Sequence, residues 1–438
     1  MSKVKLILSN SPSLRVPVQF FFTAILFGVY AAMLMLWKGS DAFTFRWSPA
    51  ILAVVHAMVL GYIGMIMQGA LLQIVSVVLG KQPLYVERLS LFIYLFSSIG
   101  IFSLVWGFLS NNSHVLLFSA ILIGLSYFIF LCSIIFSIAG RKARSDIGLG
   151  IAFSIFSLLL TWLIGIWLIF GYTLDNIDVD RQLTTIHLAW GLLGWVSILI
   201  FTIAYEVVPM FQVTENYPVI LTRWLAIMQF VGLLLFSTHY FFAYTFLLNL
   251  GCLLMVICMG LFASSTLWLQ YKRKKKQSDP TVWFWRIAMI FLLLALIFWL
   301  MAQFLPELSG KSNYSLILGI LIIFGFILSA INGMLYKIIP FLVWLHLSMF
   351  VNQCKVSRRL IPNIKKMISI RMAYIQFGLH LLSILFMLFF EYFSILFTAA
   401  ALSFLASSIL LLWNLGAVLK IYKNSKNEII KASCMVDS

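Results

Sequence analysis

The chain has 438 residues, 63% of them hydrophobic and 10% charged, with a mean hydropathy of +1.06. That balance excludes a soluble globular domain and identifies a polytopic membrane protein. The net charge of +17 comes from basic residues lying between apolar runs, where a cytoplasmic bias and attraction to anionic lipid explain it without nucleic acid as a partner.

Residues 1–14, MSKVKLILSNSPSL, are short and basic and lack the apolar core and small-residue site of a cleavable signal, so they read as a retained cytoplasmic tail. Residues 15–420 divide into twelve apolar segments, at 16–37, 49–79, 89–110, 115–139, 147–171, 183–211, 220–241, 243–269, 282–304, 314–340, 370–390 and 393–419, and a second tail follows at 421–438. The expected fold is all-α, a bundle of twelve transmembrane helices. Connections on one side carry Lys3, Lys5, Arg15, Lys81, Arg88, Arg141, Lys142, Arg144, Arg223, the run at 272–276 and the cluster at 355–371; those on the other side are short or acidic, with Asp175, Asp178, Asp180, Glu307 and Glu391. The alternation puts both termini in the cytoplasm. The stretch at 341–369 begins apolar and ends basic, so it either continues the tenth helix or lies along the inner interface.

The second segment, HAMVLGYIGMIMQGALLQ, sets His56 ahead of three glycines, with Gln68 and Gln73 deeper. Amides at that depth face the bundle interior or a cavity. The sixth, HLAWGLLGWVSILIFTIAYEVVPMF, carries His187 near its start and Tyr205, Glu206 and Pro209 near its end. At 100° per residue Tyr205 returns to the face of His187, along with Trp190, Gly191 and Gly194. Small residues there leave room either for a flat cofactor or for a closely packed helix. The tenth segment contributes Asn332, Tyr336, Lys337 and Pro340; Glu206 either reaches water, relays protons or pairs with Lys337.

On this topology His56, His187 and His239 come to similar outer depths on the second, sixth and seventh helices. Each alone is a core histidine; three together point to a haem or metal site, because neutral imidazole is the common nitrogen ligand of haem iron and copper. His380 lies mid-membrane, whereas His114 and His346 read as interfacial. Five cysteines, Cys132, Cys252, Cys258, Cys354 and Cys434, form no CxxC pair.

These second, sixth and tenth segments resemble haem-copper oxidase subunit I, and in particular the NnrS-like haem- and copper-containing bacterial membrane proteins related to it. The resemblance implies a cytochrome c oxidase subunit I-like bundle in the bacterial cytoplasmic (inner) membrane. It implies His56 as an axial haem ligand, with His187 and His239 on the helices that carry copper-site histidines. The tandem His-His, the His-x-His and the His-Pro-Glu motifs of the oxidases are absent, so the implied activity is response to a small diatomic ligand (NO or O2), or metal or haem handling, rather than proton-pumping oxygen reduction. Two other readings stay open. One is a secondary transporter without a cofactor, using Gln68, Gln73, Glu206 and Asn332; the other is an assembly subunit that binds a partner through its basic loops.

Overall fold

The computed structural model describes residues 11–43, 45–78, 85–138, 146–174, 178–273 and 279–436. Among these, twelve helices are long and apolar enough to cross a membrane. They are α1 (Arg15–Lys38), α2 (Pro49–Ser76), α3 (Val86–Ser110), α4 (Ser113–Ile138), α5 (Asp146–Thr173), α6 (Arg181–Gln212), α7 (Val219–Phe242), α8 (Thr245–Tyr271), α9 (Pro280–Phe304), α10 (Tyr314–Gln353), α11 (Ile370–Phe389) and α12 (Ile395–Val436). No strand occurs among the described residues. Most of the expected N-terminal tail, together with Lys81, Arg141, Lys142, Arg144, Asp175, Lys274, Lys275 and Lys276, lies outside them.

Local chemistry starts several of these helices. Ser48 caps α2 by accepting from Ile51 N at 3.2 Å, with Pro49 at the first helical position. Asp180 caps α6 through Gln182 N and Leu183 N, and Asp279 caps α9 through Thr281 N. Two helices outrun the expected segments. The tenth continues through Gln353 instead of lying along the interface. The twelfth absorbs most of the expected C-terminal tail, because Ile421, Ser425 and Ile429 recur every four residues, and Ile429 is buried against the rest of the protein.

Consecutive helices pack side by side, and α12 returns onto α1, which closes the bundle. The segments of α2, α6 and α10 that cross the membrane are 72%, 67% and 61% buried, against 28% for α5 and α7. These three, with α1 at 61%, form the centre. The outer helices turn Phe102, Trp106, Phe118, Phe128, Phe156 and Trp167 outward, as a lipid-facing surface requires.

The three central helices share a departure from α geometry. Each is π-helical over about two turns: Ala57–Gly64 in α2, Ala189–Val196 in α6 and Ile320–Leu328 in α10. The wider turn leaves backbone carbonyls to be satisfied by other groups. Ser197 Oγ donates to Leu192 O at 2.7 Å and Ser329 Oγ to Phe324 O at 3.2 Å, each reaching five residues back. Neighbouring helices supply Gln229 Nε2 to Leu193 O at 3.1 Å and Ser154 Oγ to Trp195 O at 3.0 Å.

Interhelical hydrogen bonds fasten the centre. Tyr62 of α2 donates to Asn332 Oδ1 of α10 at 2.6 Å, and Asn414 of α12 donates to the Tyr336 hydroxyl at 2.9 Å. Ser97 donates to Gln68 Oε1 at 3.2 Å and shares a 2.7 Å bond with Ser126, joining α2, α3 and α4. Gln73 Nε2 donates to Ser11 Oγ at 2.6 Å. Each pair removes a polar group from contact with hydrocarbon.

Candidate functional site

Twelve crossings put both chain ends at one end of the bundle, here the terminal end; the opposite, distal end carries the α1–α2, α5–α6 and α9–α10 connections. A cavity of about 620 Å3 occupies the distal half of the centre, within the range of about 300–1,000 Å3 common for small-molecule and cofactor sites. Its walls come from all three π-helical segments and from α4, α5, α8 and α9, and they are overwhelmingly aliphatic and aromatic. Phe43, Arg46 and Trp47 before α2, Thr184 and Thr185 at the start of α6, and Ser312 before α10 bring it to the distal rim.

His56 and His187 both line this cavity. His56 Nδ1 lies 2.7 Å from Leu52 O, and His187 Nδ1 lies 3.0 Å from Thr161 O. A carbonyl only accepts, so Nδ1 carries the proton in both rings, and Nε2 of each neutral imidazole keeps its lone pair. Neither Nε2 has a hydrogen-bond partner among the described residues. Second-sphere carbonyls that fix the tautomer in this way orient imidazoles as ligands.

Gly165 of α5 makes the placement of His187 possible, since a Cβ there would stand 2.9 Å from its Cε1. The glycines of α6 itself serve packing. A Cβ on Gly191 would meet Thr161 Cγ2 at 3.2 Å, and one on Gly194 would meet Ser157 Cβ at 2.8 Å. Gly194 packs closely against α5, whereas Gly191 also lines the cavity.

The other expected site residues disperse. His239 does not line the cavity; it sits near the distal end of α7, its Nδ1 buried with no partner among the described residues. The face shared by His187 and Tyr205 is lost, because eight π-helical residues between them carry each residue less far round the axis. Tyr205 instead packs edge-on against Tyr217 with ring centres 5.1 Å apart. The pairing of Glu206 with Lys337 is corrected: Lys337 Nζ bonds Asp279 Oδ2 at 2.5 Å, and Glu206 is exposed on the surface of α6. His380 is buried and shares a 2.8 Å bond with Ser329 Oγ.

Sequence reasoning missed the rim. Arg46 and Arg181 both lie against Trp47, each guanidinium 4.5 Å from its ring centre. Burial pulls the Arg46 guanidinium below its ordinary value. Two cations, beside tryptophan and at an end otherwise read as acidic, were the available signal. Cys252, which has no partner cysteine, also lines the cavity.

Among the described residues no three His, Cys, Asp or Glu side chains gather as a metal site. The cavity therefore offers two imidazoles in an apolar chamber with arginines at its mouth. No protein-family model matches the chain, and no curated protein matches it.

Proposed function

We propose that this chain is a bacterial inner-membrane protein that holds a haem between His56 and His187, and that it serves small-ligand response or haem handling rather than proton-pumping oxygen reduction. The observation that carries this reading is the pair of imidazoles, each fixed through Nδ1 by a backbone carbonyl, that together line one apolar cavity. When bound, such a group supplies one-electron and small-ligand chemistry. The protein's own part is to set the tautomers through Leu52 and Thr161, to exclude water with the apolar wall, and to offer Arg46 to an acidic edge at the rim. The innermost position of α2, α6 and α10 favours kinship with the oxidase subunit. Arg88, Arg223, Arg358, Arg359, Lys365 and Lys366, gathered at the terminal end, favour termini in the cytoplasm.

The test is an absorption spectrum of the purified full-length protein, oxidised and reduced, from cells supplied with haem. A Soret band that is lost in both His56→Ala and His187→Ala is expected. A colourless protein under those conditions overturns the reading. A permease without a cofactor is the second reading, favoured by the reach of the cavity to the distal rim and by Pro209 and Pro340 inside α6 and α10. It is tested by solute uptake into proteoliposomes.

A further inference from the structure

The chain has a second cavity on the same central axis, in the half of the bundle nearer the termini. Its volume is about 90 Å3, and it lies among α2, α6 and α10, with Phe21 of α1 and Trp285 of α9 also in the wall. Three residues account for it. Ala70, Ala204 and Ala330, one from each central helix, line the space together with long side chains such as Met67, Leu199 and Met334. Ala70, Ile74, Ile203, Val207 and Ile338 are only partly buried, so the space is open on one side.

The chemistry of the wall excludes water. Every lining side chain is apolar apart from the indole nitrogen of Trp285, which is buried with no hydrogen-bond partner among the described residues. A buried water needs two to four polar partners, and one N–H does not hold it. Cavities lined by aliphatic and aromatic carbon stay dry and take apolar guests, and one of roughly 150 Å3 admits a benzene ring. A space of about 90 Å3 suits a smaller guest.

We infer that this cavity binds a small apolar molecule of diatomic size, chemically a dissolved gas. The layer separating it from the large cavity is thin. On α6, Val196 lines the large cavity and Leu199 the small one, so only Ser197 and Ile198 intervene. On α2 and α10 the intervening stretches are 61–65 and 325–329. The layer therefore falls where the π-helical segments end and α geometry resumes. A guest at the small site stands one short step from the chamber that His56 and His187 line. The site itself does not depend on those histidines being ligands.

Xenon is the probe, as an apolar sphere of suitable size with strong anomalous scattering. Crystals of the full-length protein pressurised with xenon are expected to show anomalous density between Ala70, Ala204 and Ala330. That density is expected to vanish in Ala204→Leu and in Ala330→Leu, while any density in the large cavity persists. Absence of density at the small site in the wild-type protein, at a pressure that populates the large cavity, overturns the inference. Ordered water filling the small cavity overturns it as well, and the wild-type crystal alone decides both points. A colourless protein that still binds xenon there would sink the haem reading and leave this one standing.

Discussion

Asp279 and Lys337 show how much a single pair can depend on pH. Burial alone would raise the Asp279 carboxyl, but the Lys337 ammonium and the hydrogen bonds from Lys337 and Thr281 outweigh it, and the group is held below the usual carboxylate range. A carboxyl depressed in the folded state stabilises the fold above its unfolded value of about 4 and loses that contribution as pH falls through the folded value. Unfolding followed between pH 6 and pH 3 should therefore show a decline confined to the acid end, and Asp279→Asn should flatten it. The Tyr62–Asn332 pair makes a different prediction. Tyr62→Phe removes one hydrogen bond, at a cost of about 1 kcal/mol, in a setting where such bonds average roughly 0.6 kcal/mol. Asn332→Ala leaves the buried Tyr62 hydroxyl without an acceptor and should cost more, about 1–3 kcal/mol; thermal unfolding of the two variants in detergent ranks them. Asn332 was legible in the sequence as a buried amide, since an amide at that depth needs a partner. Its partner was not, because Tyr62 is 270 residues away and a tyrosine in an apolar run carries no sign of which helix it will face.

At the scale of elements, the three π-helical segments explain both what the sequence reveals and what it hides. His56 and His187 were legible because an imidazole in an apolar run is costly and stands out at any helical phase. Tyr205 was misplaced because its assignment rested on an unbroken 100° step across a stretch that does not keep it. Ser197 and Ile198, or Ser329 and Ala330, give no composition signal for a change in helical winding; only the five-residue reach of their hydroxyls, seen in three dimensions, marks it. Close helix crossings yield a sharper prediction. A Cβ on Gly251 of α8 would stand 2.6 Å from Gly232 O and 2.7 Å from Phe236 N, both backbone atoms of α7 that cannot swing aside. Gly378 of α11 has open space around its Cβ position. Gly251→Ala should destabilise the protein by about 1–3 kcal/mol, as overpacking does, with Gly378→Ala as the near-neutral control in the same melting experiment.

For the whole molecule, the number of membrane crossings was fully readable, since twelve long apolar runs separated by charge leave little freedom. The helix order around the centre was not, because the runs are alike in composition and the burial that separates α2 from α7 appears only when neighbours are in place. Topology adds a prediction. If the termini lie in the cytoplasm, as proposed, the exposed Cys434 should resist a membrane-impermeant maleimide in intact cells and react in inverted vesicles. Labelling in intact cells would reverse the orientation.

The length of α12 has a mechanical consequence. Its 42 residues span about 63 Å at 1.5 Å per residue, roughly twice the 30 Å hydrocarbon core. The overhang is braced by buried Ile429 and by Lys426, whose ammonium lies 5.2 Å from the Phe350 ring centre at the projecting end of α10. The last turn thus works as a stand-off strut. Anything joined to the C-terminus, whether a natural partner or a fused fluorophore, would ride at a set height above the lipid headgroups instead of resting on them.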